Sequence, residues 1–261
     1  MISFKYSQLF GILLLVTLLG LAFLQPYYYD MDNALQNFDA ILEGPSTAHW
    51  LGTDHLGRDM FARLASAIRL SFSMVILSVG GALVFGLLFG ILSGYKGGWV
   101  DRLFSFLTNI IMALPGLLFV LLFAAISPGS FWALYLGIAF VMWVEFFRVI
   151  RAITRTLIHS PEIENSRLMG MSFWYCFKRH FFPKLAPIIL TLSAFSAGNA
   201  VLALATLGFI SVGLRPPTAE LGLMMTELFP YYYEAPFIFA LPIITVCCLV
   251  LSFHLISGKN Q

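Results

Sequence analysis

Apolar residues in this chain fall in long runs, not in the alternation of a half-buried strand or the single stripe of a surface helix. Six runs approach or exceed the roughly 20 residues with which a helix crosses about 30 Å of hydrocarbon. They cover residues 8–24, 70–94, 103–126, 131–144, 185–210 and 236–256. The fourth is short unless Phe146, Phe147 and Val149 extend it. Most carry Gly or Pro, which membrane helices tolerate. The pattern predicts an all-α integral membrane protein with about six transmembrane helices. Polar segments at 26–69, 150–184 and 211–235 separate the spans. The first run follows Lys5 and could be a signal peptide. No small-residue cleavage pattern follows it, only Leu24-Gln25-Pro26-Tyr27, so an uncleaved first helix is expected.

Composition supports the same class. Of 261 residues, 59% are hydrophobic and 11% charged, against about a quarter charged in a soluble domain. A net charge of +2 offers no basic field for nucleic acid. Cys176, Cys247 and Cys248 are too few and too awkwardly placed for a disulfide framework. With the N-terminus inside, only Arg58, Arg63, Arg69 and Arg215 of the 15 basic residues face outward. Lys5, Lys96, Arg102, Arg148, Arg151, Arg155, Arg167, Lys178, Arg179, Lys184 and Lys259 face inward, so the positive-inside rule puts both termini in the cytoplasm. The expected division is 1–69, a first helix with an outer segment, and 70–261, a five-helix core with an inner loop at 150–184.

Between their ends the spans hold no Asp, Glu, Lys or Arg. Ion-coupled carriers usually need such groups, although backbone carbonyls can also bind sodium. Glu145 sits at a span edge, where helical spacing would pair it with Arg148. No H-E-x-x-H helix, complete G-x-S-x-G elbow or P-loop occurs, so neither catalysis nor ATP binding is expected of this chain. Gly86, Gly90 and Gly94 make two overlapping GxxxG units, read as close helix packing with a pore-side groove as the alternative. Ser196, Asn199, Ala203 and Thr206 share one helical arc that could bond across helices or line a water-filled path.

The inner loop has a helical grammar. Ser160 can cap, Pro161 suits the first helical position, and Glu162 and Glu164 favour the positive dipole end. Gly170 ends that short helix. Ser172 can cap a second helix over 173–182, closed off by Pro183. Leu168, Met169, Met171, Phe173 and Trp174 lie among Arg167, Lys178 and Arg179. Such a surface suits docking to another protein or lying on lipid headgroups.

The spacing Glu164-Asn165-Ser166-x3-Gly170-x9-His180-x-Phe182-Pro183 resembles the EAA loop, E-A-A-x3-G-x9-I-x-L-P, of bacterial ABC importer permeases. Glu164, Gly170 and Pro183 match it; Asn165, Ser166, His180 and Phe182 depart. Leu51-Gly52-Thr53-Asp54-His55-Leu56-Gly57-Arg58-Asp59, followed by Arg63-Leu64, resembles the LGTDxLGRDxxxRL block of second permeases in the peptide/nickel group. Trp143, Arg148 and Arg151 fit that group's W-x4-R-x2-R approach. Phe209, Gly213, Pro216-Pro217-Thr218 and Gly222 fit its FLGLGxxPPTxxWG region. Three departures stand out: Asn109 where Asp is common, Leu221 for the usual Trp, and a short tail, Gly258-Lys259-Asn260-Gln261.

The resemblance implies a type I ABC importer permease fold and a non-catalytic half-transporter. A second permease subunit, two P-loop ATPase subunits carrying ATP and Mg, and a solute-binding protein would complete it in the bacterial inner membrane. Residues 164–169 would dock on an ATPase, with Glu164 as anchor and Gly170 as turn. In the outer block Asp54 reads as turn chemistry, while Arg58 and Asp59 would face the partner permease or binding protein. Asn109, Ser196, Asn199 and Thr206 are path-lining candidates. The string from His49 to Asp59, with Ala219-Glu220, resembles nickel-type members most, which implies nickel, free or chelated, as cargo. Di- or oligopeptide is the alternative. His49 and His55 alone make no metal site.

Overall fold

A computed structural model describes residues 6–258; Lys5, Lys259 and the chain ends, on which part of the topology expectation rests, lie outside them. Among the described residues every regular element is a helix, and Thr53 and Asp59 form an isolated bridge. The crossing helices are α1 (Tyr6–Tyr28), α2 (Met60–Lys96), the pair α3 (Gly98–Met112) and α4 (Gly116–Ile126), α5 (Phe131–Ile158), α8 (Phe182–Phe209) and α10 (Pro236–Ser257). Two short helices lie between spans: α6 (Pro161–Leu168) and α9 (Leu221–Leu228). Counting the bent pair as one crossing gives six candidate spans.

Four boundaries differ from expectation. The 26–69 loop stops early, because Asp59 caps α2 by accepting the Ala62 N–H at 2.8 Å. α2 has 37 residues, about 55 Å at 1.5 Å per residue, so it projects beyond a 30 Å hydrocarbon core. The division expected at residue 69 therefore falls inside α2. The third run is not one rod: α3 and α4 meet at 81°. Pro115 lacks an N–H and disfavours helical geometry at Leu114, so the helix stops and restarts. The fourth run does not end near Val144. α5 continues through Arg148, Arg151 and Arg155 to Ile158, projecting beyond the lipid.

The last difference concerns Pro183, expected to close a separate helix. Instead α7 (Phe173–Cys176) passes through a π turn, Phe177–Phe181, directly into α8, with Pro183 in its first turn. A widened turn relieves the clash between a proline ring and the preceding carbonyls, so the helix continues past it.

Small residues set the spacing of the bundle. A Cβ on Gly86 would collide with Phe146, one on Gly90 would lie 3.0 Å from Ile150, and one on Gly94 would lie 2.7 Å from the Thr154 Cβ. The GxxxG units are thus a packing seam between α2 and α5, not a pore-side groove. Gly198 lies against His254 where α8 meets α10, and Gly11 against Leu255 where α1 meets α10. Leu9, Leu13, Val16 and Leu24 on α1 are exposed, as a lipid-facing helix requires.

Candidate functional site

α6 is a short helix slung between the ends of α5 and α7. Its cap differs from expectation. The Ser160 hydroxyl is buried without a partner, and the Ser160 carbonyl accepts the Ile163 and Glu164 N–H groups at 3.0 and 3.1 Å. Ile163 is 1% exposed and anchors the helix in the core. At the other end Gly170 has φ +75°, and the Met171 N–H donates to the Ser166 carbonyl at 3.0 Å. This six-to-one bond is that of a Schellman stop. Ser172 caps the next helix by accepting the Tyr175 N–H at 3.3 Å.

Two contacts tie α6 back to the chain that follows. Ser166 Oγ lies 3.0 Å from His180 Nε2, and Lys184 Nζ donates to Glu162 Oε2 at 2.6 Å. Lys184 thereby holds the Glu162 carboxyl below its usual range. Ser166 and His180 both depart from the EAA pattern, and they touch each other. Glu164 and Asn165 are on the exposed face. Leu168 is 82% exposed, Met169 77% and Trp174 68%, so a broad apolar surface surrounds the Gly170 turn.

Just above, Asp101 is the hub of a clamp that sequence reasoning missed. Arg151 grips its carboxylate with Nε and with Nη2, the latter at 2.6 Å. Ser93 Oγ donates to it at 2.5 Å, and Arg155 Nη1 lies 3.5 Å away. The clamp joins α2, α3 and α5. Asp101 is the single acid in the short segment between the second and third apolar runs, beside Lys96 and Arg102, and that was the available signal.

The outer block folds on itself. Asp54 Oδ1 accepts the backbone N–H of Leu56 at 2.8 Å and of Arg58 at 2.9 Å, so the turn reading of Asp54 holds in its geometry. Its Oδ2 also accepts from Arg58 Nε at 2.6 Å, with Arg63 Nε 3.3 Å away. Both guanidinium groups then reach Glu227 Oε2 on α9, at 2.9 and 2.7 Å. Arg58 and Asp59 do not face a partner: each is almost fully buried within the chain. Asp59 caps α2 and accepts the Tyr29 hydroxyl at 2.5 Å, with His49 Nδ1 2.9 Å from the same oxygen. Burial and Asp59 push the Tyr29 hydroxyl pKa upward. Thr53 Oγ1 donates to the Ala40 carbonyl at 2.5 Å. Gly52 and Gly57 have φ +80° and +68°, and a Cβ at either would strike the backbone of Glu43 or Asn37. The partner Glu227 was not foreseen, because nothing local links position 227 to position 58.

Glu220, fully buried, caps α9 by accepting the Gly222 and Leu223 N–H groups at 2.9 and 2.7 Å. Burial pushes its carboxyl up to about 7, against the pull of those two donors. Leu221, at the position of the usual Trp, is completely buried beside it. His55 stacks on Tyr231, and burial lowers its pKa. Among the described residues no group of three or more His, Cys, Asp or Glu could hold a metal ion.

A cavity of about 910 Å³ opens between the α3–α4 break, α5 and α8. Its walls are apolar except for Glu145, Arg148 and Asn199. Of the path-lining candidates, Asn199 lines it, beside Ala203. Thr206 is exposed further along α8, with its hydroxyl on the Leu202 carbonyl. Ser196 is turned into the packed interior, and Asn109 is exposed on α3 outside the lining. Glu145 and Arg148 do not pair; Arg148 Nη1 lies 2.8 Å from Met112 Sδ.

Comparison with known proteins gives one consistent picture. Residues 86–257 match the family described as binding-protein-dependent transport system inner membrane component. The glutathione transport system permease protein GsiD of Pectobacterium atrosepticum is 32% identical over 251 residues, covering 96% of this chain and 82% of that protein. The dipeptide transport system permease protein DppC of Alkalihalophilus pseudofirmus is 32% identical over 248 residues, with 95% and 81% covered. The protein of the same name from Haemophilus influenzae is 32% identical over 267 residues, with 97% and 89% covered.

Proposed function

The chain belongs to the binding-protein-dependent transport system inner membrane component family, the non-catalytic permease subunits of ABC importers, and from that premise we propose that its cargo is a short peptide. The observation that carries the cargo is the naming of the relatives. They match over nearly the whole chain and are dipeptide and glutathione permeases. The nickel reading rested on resemblance around His55 and Ala219-Glu220, and the names of these relatives favour the peptide alternative over it. His49 lies against Asp59 and His55 against Tyr231, and neither belongs to a ligand cluster among the described residues.

In this reading a second permease subunit completes the path, two ATPase subunits supply ATP hydrolysis, and a solute-binding protein delivers peptide from outside. The exposed apolar surface around Leu168, Met169 and Trp174 supports α6 as the seat for an ATPase subunit. α6 connects α5 to the continuous α7–α8 rod, and α5 and α8 are two walls of the cavity. A displacement of α6 is therefore delivered to both walls at once. Ile163, the Ser166–His180 contact and the Glu162–Lys184 pair make α6 stiff enough to transmit a two-state movement.

Uptake tests the cargo. Cells lacking the gene should fail to accumulate labelled dipeptide and should keep normal nickel in low-metal medium. Lost nickel with unchanged dipeptide uptake would reinstate the metal.

A further inference from the structure

We infer that Glu145, Arg148 and Asn199 form a contact site in the membrane domain for the two charged ends of a short peptide. This inference rests on the peptide reading of the cargo. Four observations lead to it. First, the cavity's volume of about 910 Å³ suits a small ligand, whose sites usually measure about 300–1,000 Å³. Second, its lining is apolar apart from one carboxylate, one guanidinium and one amide. That is the usual build of a site in which a few polar groups orient a ligand.

Third, both charged groups stand on α5 where its apolar run ends, at the edge of the span and on the cavity wall. Charged groups at such an edge can reach an aqueous path. Both are exposed in this chain. Fourth, the two stand three residues apart on one helical face, close enough to pair, yet form no salt bridge with each other. Among the described residues neither is held in an ion pair, so a ligand can reach both.

A peptide supplies the complement. Its ammonium matches Glu145, its carboxylate matches Arg148, and its amide bond can be met by Asn199. Val120, Val141, Leu192 and Phe195 offer apolar walls to its side chains. A divalent metal fits poorly, because the lining contains a single carboxylate and no His or Cys. The site also lies between α5 and α8, the walls moved by α6. Contact and release would therefore follow the coupling motion.

The test uses the full complex in proteoliposomes, with both permeases, the ATPase subunits and the binding protein. The probe is radiolabelled alanyl-phenylalanine, and rates are taken per assembled complex. Glu145→Gln should lower ATP-driven uptake at least tenfold, and Glu145→Asp, which keeps the charge, should restore most of it. Uptake by Glu145→Gln at the wild-type rate overturns the inference, as does equal loss in both variants. A second readout does not depend on a variant's folding. In the wild-type complex, a dipeptide with a diazirine side chain should label α5 or α8 at the cavity upon illumination during turnover. Labelling confined to other segments overturns the site. If the wild-type complex moves no dipeptide, the cargo reading has failed, and that is seen before any variant is made.

Discussion

Single residues hold positions here that tolerate few substitutes. Gly170 has φ +75°, yet an added Cβ would meet nothing within 4 Å. The obstacle is the backbone angle alone, costing a non-Gly residue about 1 kcal/mol or more and a β-branched one the most. Gly170→Val should therefore abolish ATP-driven uptake at normal membrane abundance, by turning α6 away from its seat. Gly170→Asn, which visits this region readily, should retain most uptake. Equal uptake by Gly170→Val and wild type would remove the turn from the coupling device. Glu220 makes a pH prediction. Its carboxyl is raised from about 4.5 to about 7 by burial, so the folded state holds that proton more tightly than the unfolded chain. The resulting advantage is full below about pH 4.5 and is lost as pH rises through 7. In detergent, the Tm of the wild type minus that of Glu220→Gln should fall between pH 5 and pH 8; a flat difference would contradict it. The Gly170 turn was readable from order alone, since a Gly between two capped helices has one common use. The raised Glu220 was not, because burial comes from α8 and α9 closing over it.

Between elements, buried charge decides more than propensity does. Asp54, Arg58, Arg63 and Glu227 tie the outer segment and the start of α2 to α9. Removing one member of a buried ionic set leaves its partners uncompensated and typically costs about 3–5 kcal/mol. Glu227→Ala should lower the Tm by several degrees and open residues 30–58 to protease added from outside. Lys184→Ala, at a pair whose two members are both well exposed, should change Tm little. If the two variants are equally stable, the network is not holding the outer segment. The elements themselves were largely visible beforehand: six apolar runs, the α6 helix and the Gly86–Gly90–Gly94 seam follow from local pattern. Their ends were not. α2 begins at an Asp59 cap, α5 runs through three arginines, and α7 continues through Pro183 because a π turn precedes it. Hydropathy marks where lipid begins, whereas a helix ends where its hydrogen bonds do.

Across the molecule, the charge partition predicts a single orientation. A reporter fused after Gly44 should read outside and one after Glu162 inside; the reverse at both sites would reject the inward N-terminus. Class, number of spans, the α6 loop and the family block were all present in the linear chain. Each depends on composition, on runs longer than a membrane is thick, or on spacings within a few residues. The cavity, the Asp101 clamp and the Asp54–Glu227 network were absent from it. Each joins at least one pair of residues 50 or more apart, such as Asp101 with Arg151 and Arg58 with Glu227, brought together by how the helices pack, in which glycine seams let α2 approach α5 and the third span breaks at Pro115. Lipid exposure and local turns act on neighbours in sequence and can be read there. Charge pairing and cavity walls act on neighbours in space, which exist once the helices have packed.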